Sequence, residues 1–86
     1  MKKVILKYEV INGTMLEIPR GKCIHVEYQG KDLQSWWEVD PDGRPRMIKF
    51  HVYGTGEIYE HRTYKYYIGT VQQGPFVWHV FYELVT

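Results

Sequence analysis

Between Ile48 and Tyr53 the chain alternates without a break. Ile48, Phe50 and Val52 are apolar, while Lys49, His51 and Tyr53 carry polar atoms. Strand side chains point to opposite faces with period 2, so this run can bury one face and turn the other toward water. It passes directly into the turn Gly54-Thr55-Gly56. A second long alternation, Phe76 to Leu84, follows near the end of the chain. These two runs are predicted to be the centre of a sheet. The first also has an echo: Tyr53-Gly54-Thr55 returns as Tyr67-Ile68-Gly69-Thr70.

No window shows apolar residues at i, i+3, i+4, i+7, and the chain contains no alanine, the strongest helix former. Valine, isoleucine and aromatic residues, which suit a pleated half-buried surface, are abundant. The expectation is an all-β domain. Several short strands joined by tight turns point to a small antiparallel barrel or sandwich of about six to seven strands with little or no helix. Eighty-six residues make one domain, and a chain of this size buries only ~60% of its unfolded surface, leaving a thin stability margin. The 16% aromatic content offsets this, because each buried ring removes ~150–250 Å² from water.

Taken in order, residues 3–11 alternate, with Val4, Leu6, Tyr8 and Val10 on one face. Asn12-Gly13 predicts a tight hairpin turn into a partner strand over 14–18. After the turn at Pro19-Arg20-Gly21-Lys22, residues 23–29 alternate with Ile24, Val26 and Tyr28 inward and His25 and Glu27 outward. Leu33 to Val39 has two readings: a strand with Ser35 and Trp37 inward and Trp36 outward, which is preferred, or a helical turn capped by Asp32. Asp40 to Arg46 is a loop. Residues 57–65 are polar and weakly periodic and read as a mobile loop or lid. The terminal strands, 3–11 and 76–84, are expected to pair and remove exposed edges.

Net charge is +1, which gives no global field for nucleic acid or an anionic membrane. Long nucleic acid is disfavoured, since its affinity comes largely from neutralised phosphates. The single cysteine, Cys23, excludes an internal disulfide and suits a reducing compartment. The opening Met-Lys-Lys-Val-Ile-Leu-Lys has too short an apolar stretch for a signal peptide, and no transmembrane run exists. A cytosolic location follows as the expectation.

Catalytic chemistry is poorly supplied. Ser35 is the only serine, and neither it nor Cys23 lies in a Gly-x-Ser-x-Gly elbow. Ser35 reads as a packing residue and Cys23 as a buried inert thiol. His25, Glu27, His51 and His79 would suit zinc if one sheet face gathered them, but no pair has metal-ligand spacing. Ordinary surface or interface histidines are the simpler reading, and no metal or cofactor is implied.

A binding site has more support. Residues 44–67 hold five Lys/Arg against Glu57 and Glu60, a modest basic lobe that is either a solvated face or an anion pocket. In the pocket reading, Arg44, Arg46 and Lys49 supply charge, with His51 beside them. Gly54, Thr55 and Gly56 offer backbone donors to a phosphate, and Tyr53 and Trp37 stack on a base. Of eight tyrosines, at most half can face one small core. Exposed tyrosines favour interfaces, so a homo-oligomer is expected.

Several segments together resemble an uncharacterised family of small phage and prophage proteins. They are Lys7-Tyr8-Glu9, Ile18-Pro19-Arg20-Gly21, Trp37-Glu38-Val39-Asp40-Pro41, Gly54-Thr55-Gly56, Tyr67-Ile68-Gly69-Thr70 and Val77-Trp78-His79-Val80-Phe81. The chain departs from that pattern at Glu57, where the family pattern has histidine, and at the doubled Trp36-Trp37. The resemblance brings no chemistry with it. It implies a context, a small accessory protein in the host cytoplasm, and such proteins often counter host defence, sometimes by sequestering a nucleotide signal. The leading expectation is therefore a non-catalytic module that captures a small nucleotide-like or phosphorylated ligand. The alternatives are a protein-protein interaction module, either an inhibitor of a host protein or a minor virion component, and a metal-dependent hydrolase using His25, His51 and His79.

Overall fold

The computed structural model describes residues 2–62 and 64–85. Its elements are β1 (Val4–Glu9), β2 (Met15–Ile18), β3 (Gly21–Gln29), β4 (Asp32–Val39), β5 (Arg46–Gly54), β6 (Lys65–Gln73) and β7 (Phe76–Leu84), with no helix among the described residues. They form two antiparallel sheets, one ordered β1-β4-β3 and the other β2-β5-β7-β6. Neither closes on itself, and the arrangement is sandwich-like. No helix among the described residues is long and apolar enough to cross a membrane.

The alternating runs become the central strands. β5 pairs with β7 from Ile48↔Leu84 to Gly54↔Trp78, and β4 lies between β1 and β3. Leu33 to Val39 is a strand, with Leu33, Ser35, Trp37 and Val39 buried and the intervening side chains only partly so. Trp37, Val39, Ile48, Phe50, Ile18 and Val80 are fully enclosed between the sheets. One polar group is enclosed with them: Ser35 accepts a hydrogen bond from Trp37 Nε1 (2.8 Å) and donates to the Tyr8 carbonyl (2.9 Å). Buried polar atoms are tolerated when paired in this way.

Three strand-level expectations are corrected. First, the terminal strands do not pair: β1 pairs with β4, and β7 lies between β5 and β6. Second, Asn12-Gly13 is a turn but not a hairpin. Thr14 N donates to Ile11 O (3.0 Å), Gly13 takes φ 81°, and no non-glycine residue among the described residues has positive φ. That pattern is a type II turn, which splays the flanking strands, whereas a hairpin of type I′ needs positive φ at both central positions. β1 and β2 therefore enter different sheets, and β2 pairs with β5 instead. Asn12 Oδ1 fixes the crossing by accepting from Val52 N (2.9 Å).

Third, Ile24 does not face the core. The register of β3 shifts between Cys23 and His25, and a bulge inserts one residue and inverts the phase on one side of it. Ile24 is thrown outward and exposed, while Cys23 packs against the core. A second irregularity, between Tyr67 and Gly69, lies where β6 meets β3. There Gly69 is pressed so closely on Val26 that a Cβ would lie 2.3 Å from the valine Cγ2.

Candidate functional site

The outer face of the four-stranded sheet follows from its register. Tyr53 lies opposite His79, and His79 opposite Thr70. His51 lies opposite Phe81, and Phe81 opposite Tyr67. The side chains of three adjacent strands thus meet around β7. The chain after β5 then folds back, so that Tyr59 stacks on Tyr53 with ring centroids 4.4 Å apart. Phe81 is the hub: Tyr53, Tyr59 and Tyr67 all lie 5.5–5.7 Å from its ring. These rings, with Gly54, Thr55, Gly56, Glu57 and His79, line an open cleft of about 260 Å³.

His79 is held from both sides. Its Nε2 is 2.8 Å from Thr55 Oγ1 and its Nδ1 is 3.0 Å from Thr70 Oγ1. Thr70 Oγ1 in turn bonds the Tyr67 hydroxyl at 2.5 Å. The sequence echo therefore has a spatial meaning. Tyr53 and Thr55 come from one copy and Tyr67 and Thr70 from the other, and the pairs flank β7 from opposite sides.

The phosphate cradle expected at Gly54-Thr55-Gly56 is not formed. Gly54 N donates to the Glu57 carboxylate (2.8 Å), Thr55 N to Val77 O (3.3 Å) and Glu57 N to Gly54 O (3.1 Å). The Gly54 and Thr55 amides are engaged internally, and the Glu57 carboxylate occupies the place an anion would take at Gly54 N. Gly56, at φ 88°, makes the backbone reversal that lets Glu57 reach back.

The predicted site residues do not form one site. Tyr53, Gly54, Thr55 and Gly56 line the cleft. His51 and Lys49 lie further along the same face of β5, and His51 Nε2 contacts Glu83 Oε1 at 2.5 Å. Arg44 is exposed in the loop before β5. Arg46 has even parity, with Ile48 and Phe50, and so belongs to the other face and the far end of the strand. At ~3.3 Å per residue it lies on the order of 26 Å from Gly54. Its Nη2 donates to Gly21 O (3.0 Å).

Trp37 is corrected outright. It is fully buried against Phe50 and Tyr82 and offers no face to a ligand. Tyr59, Tyr67, Phe81, Glu57 and His79 were missing from the expected set; the echo and the closing alternation carried a signal for all but Tyr59 and Glu57. Lys65 brings a cation to the rim of the aromatic cluster, donating from Nζ to the Tyr53 hydroxyl (2.7 Å). The stretch read as a lid contains Tyr59, and Thr63 within it lies outside the described residues.

The metal reading finds no focus. His25 and Glu27 lie on β3, in the other sheet from His51 and His79. No group of three or more His, Cys, Asp or Glu among the described residues could hold an ion. Cys23 is half-buried. Burial pushes its thiol above the ordinary value, against smaller lowering effects of backbone hydrogen bonds at His25 and Trp36. A raised value means less thiolate at neutral pH, and the thiolate is the nucleophile. Iodoacetamide at pH 7.5 should therefore alkylate Cys23 about tenfold or more slowly in the folded protein than in urea. Equal rates would show that the thiol is neither shielded nor shifted.

A sandwich-like all-β domain of two antiparallel sheets, with an aromatic cleft on one outer face, is the class of protein that fold and site define. The chain belongs to the family described as a domain of unknown function, DUF7352, whose model matches residues 1–85. No curated protein and no solved structure matches it.

Proposed function

We propose that this protein is a non-catalytic capture module that binds a small nucleotide-like ligand, with the ligand's ring system held in the cleft between Tyr53, Tyr59, Tyr67 and Phe81. One observation carries the reading. Four aromatic side chains line one cleft with His79, whose two ring nitrogens are both fixed by threonine hydroxyls. With both nitrogens engaged, the imidazole offers a ligand its fixed ring face, and the Thr55 hydroxyl that holds it supplies a polar atom beside the stacking surfaces, the combination that recognises a heterocycle. His79 has no carboxylate within 4 Å among the described residues, so it lacks the third group that orients a catalytic base. About 260 Å³ is below the usual ~300–1,000 Å³ of a ligand pocket. It suits a ring, with the rest of the ligand reaching the rim near Lys65.

In the setting that the family resemblance implies, this is a phage accessory protein acting in the host cytoplasm. Sequestering a nucleotide signal would counter host defence, and a homo-oligomer would multiply the sites. The test is native mass spectrometry with mono-, di- and cyclic nucleotides, followed by Tyr67→Ala. Tyr67 is largely exposed, so its loss leaves the fold intact. Binding should weaken roughly 5- to 150-fold, the range expected for one lost base-stacking contact. A protein that retains none of the panel overturns the proposal.

A second reading has its own observation. Ile58, Tyr66, Tyr67 and Phe76 are all exposed, Ile58 at 97%, and exposed rings favour protein interfaces. A host protein enriched stoichiometrically in a pull-down, with no nucleotide effect on melting, would favour that reading.

A further inference from the structure

We propose that a second cleft, at the opposite end of the sandwich, binds a phosphate-class oxyanion. Lys3, Arg20, Gly21, Lys22, Glu38, Asp40 and Arg46 line a depression of about 490 Å³. It lies where the turn before β3, the end of β4 and the start of β5 meet. Four cations face two carboxylates there, yet none of the four has a carboxylate within 4 Å among the described residues. Asp40 is committed elsewhere: its Oδ1 accepts from Asp42 N (3.0 Å), and its backbone closes the local turn with Gly43 N (2.9 Å).

Arg46 distinguishes this cleft from a solvated basic patch. Its guanidinium is partly buried and anchored by Nη2 to Gly21 O, and its Nε is buried with no acceptor. A partly desolvated cation without a counter-charge within 4 Å among the described residues is costly, and the cost is offset when an anion arrives. The planar guanidinium suits phosphate, and an anchored one loses little freedom on binding. The frame around it is stiff. Asp40 N donates to Arg20 O (3.0 Å), and Gly21 crosses β4 so closely that a Cβ would lie 2.2 Å from Glu38 O. Arg20 and Lys22, both exposed on either side of that crossing, add mobile positive charge at the mouth. This reading does not depend on the aromatic cleft, since the two lie at opposite ends of β5.

The test is an amide NMR titration with inorganic pyrophosphate at constant ionic strength. Saturable shifts confined to Gly21, Lys22, Asp40 and Arg46 are expected. The double variant Arg20→Ala/Lys22→Ala should weaken them roughly tenfold or more, as loss of charge-assisted contacts implies, with little change in melting temperature. Arg46→Lys, which keeps the charge but loses the fork, should also weaken binding. Tyr67→Ala should leave it unchanged, which separates this site from the nucleotide reading. The proposal is overturned if pyrophosphate shifts nothing saturably, if matched chloride reproduces the shifts, or if the double variant binds as well as the parent.

Discussion

Replacing Trp37 with alanine should lower stability by about 3–5 kcal/mol, the cost of removing a large buried aromatic. Its ring lies at zero exposure between Phe50 (6.5 Å) and Tyr82 (5.1 Å, edge-on). Its Nε1 donates to Ser35, which ties the centre of β4 to β1. A chain of 86 residues has about 4–13 kcal/mol in total at ~0.05–0.15 kcal/mol per residue. The loss therefore takes a large share of the margin, and melting should fall on the order of 15 °C or more. Trp37→Phe keeps a ring in the slot and should cost markedly less. Thermal denaturation followed by circular dichroism checks both. A Trp37→Ala protein that melts normally but fails to bind nucleotide would return this residue to the ligand site and refute the packing described above.

Gly21 and Gly69 should respond differently to the same substitution, because different atoms block the added methyl. At Gly21 the new Cβ would meet backbone, Glu38 O at 2.2 Å and Val39 Cα at 2.7 Å. Backbone in a paired strand cannot step aside, so Gly21→Ala should cost about 3 kcal/mol or more, at the upper end for overpacking. At Gly69 the obstacle is a side chain, Val26 Cγ2 at 2.3 Å. Gly69→Ala should cost about 1–3 kcal/mol, and Val26→Ala in the same chain should recover part of that loss. Urea denaturation of the double-mutant cycle reads the coupling directly. Strictly additive effects at Gly69 and Val26 would mean that β3 and β6 do not meet at this seam. Gly21→Ala also moves the carbonyl that anchors Arg46, so pyrophosphate binding should fall with it.

The two clefts change the meaning of the basic residues. One pocket was expected, with arginines gripping phosphate and rings stacking a base. Strand parity forbids it: Arg46 and Tyr53 are seven positions apart and on opposite faces of β5, so no side-chain movement joins them. Tyr53 keeps its place among the rings, now with His79, while Arg46 joins Arg20 and Lys22 from elsewhere in the chain. An aromatic cleft that contains Glu57 and a basic cleft that contains no ring are separate chemical environments.

The strands themselves were legible because their cause is local. Alternation at Ile48-Phe50-Val52 and Leu33-Ser35-Trp37-Val39 follows from the pleat alone, and each predicted inward residue in these two runs is at least partly buried. The all-β class and the positions of the glycine turns follow from residue types in the same way. The remaining features depended on register and on which strands become neighbours. A single extra residue at Ile24 reversed the phase of β3 on the N-terminal side of the bulge alone, leaving Val26 and Tyr28 inward, and a type II rather than type I′ turn at Asn12-Gly13 sent β1 and β2 into different sheets. The choice of β4 as partner of β1 left β7 free to lie between β5 and β6, which brought His79 between Thr55 and Thr70. Local sequence determined the faces of the strands. Only tertiary pairing decided which faces met, because the contacts that build both clefts join residues far apart in the chain.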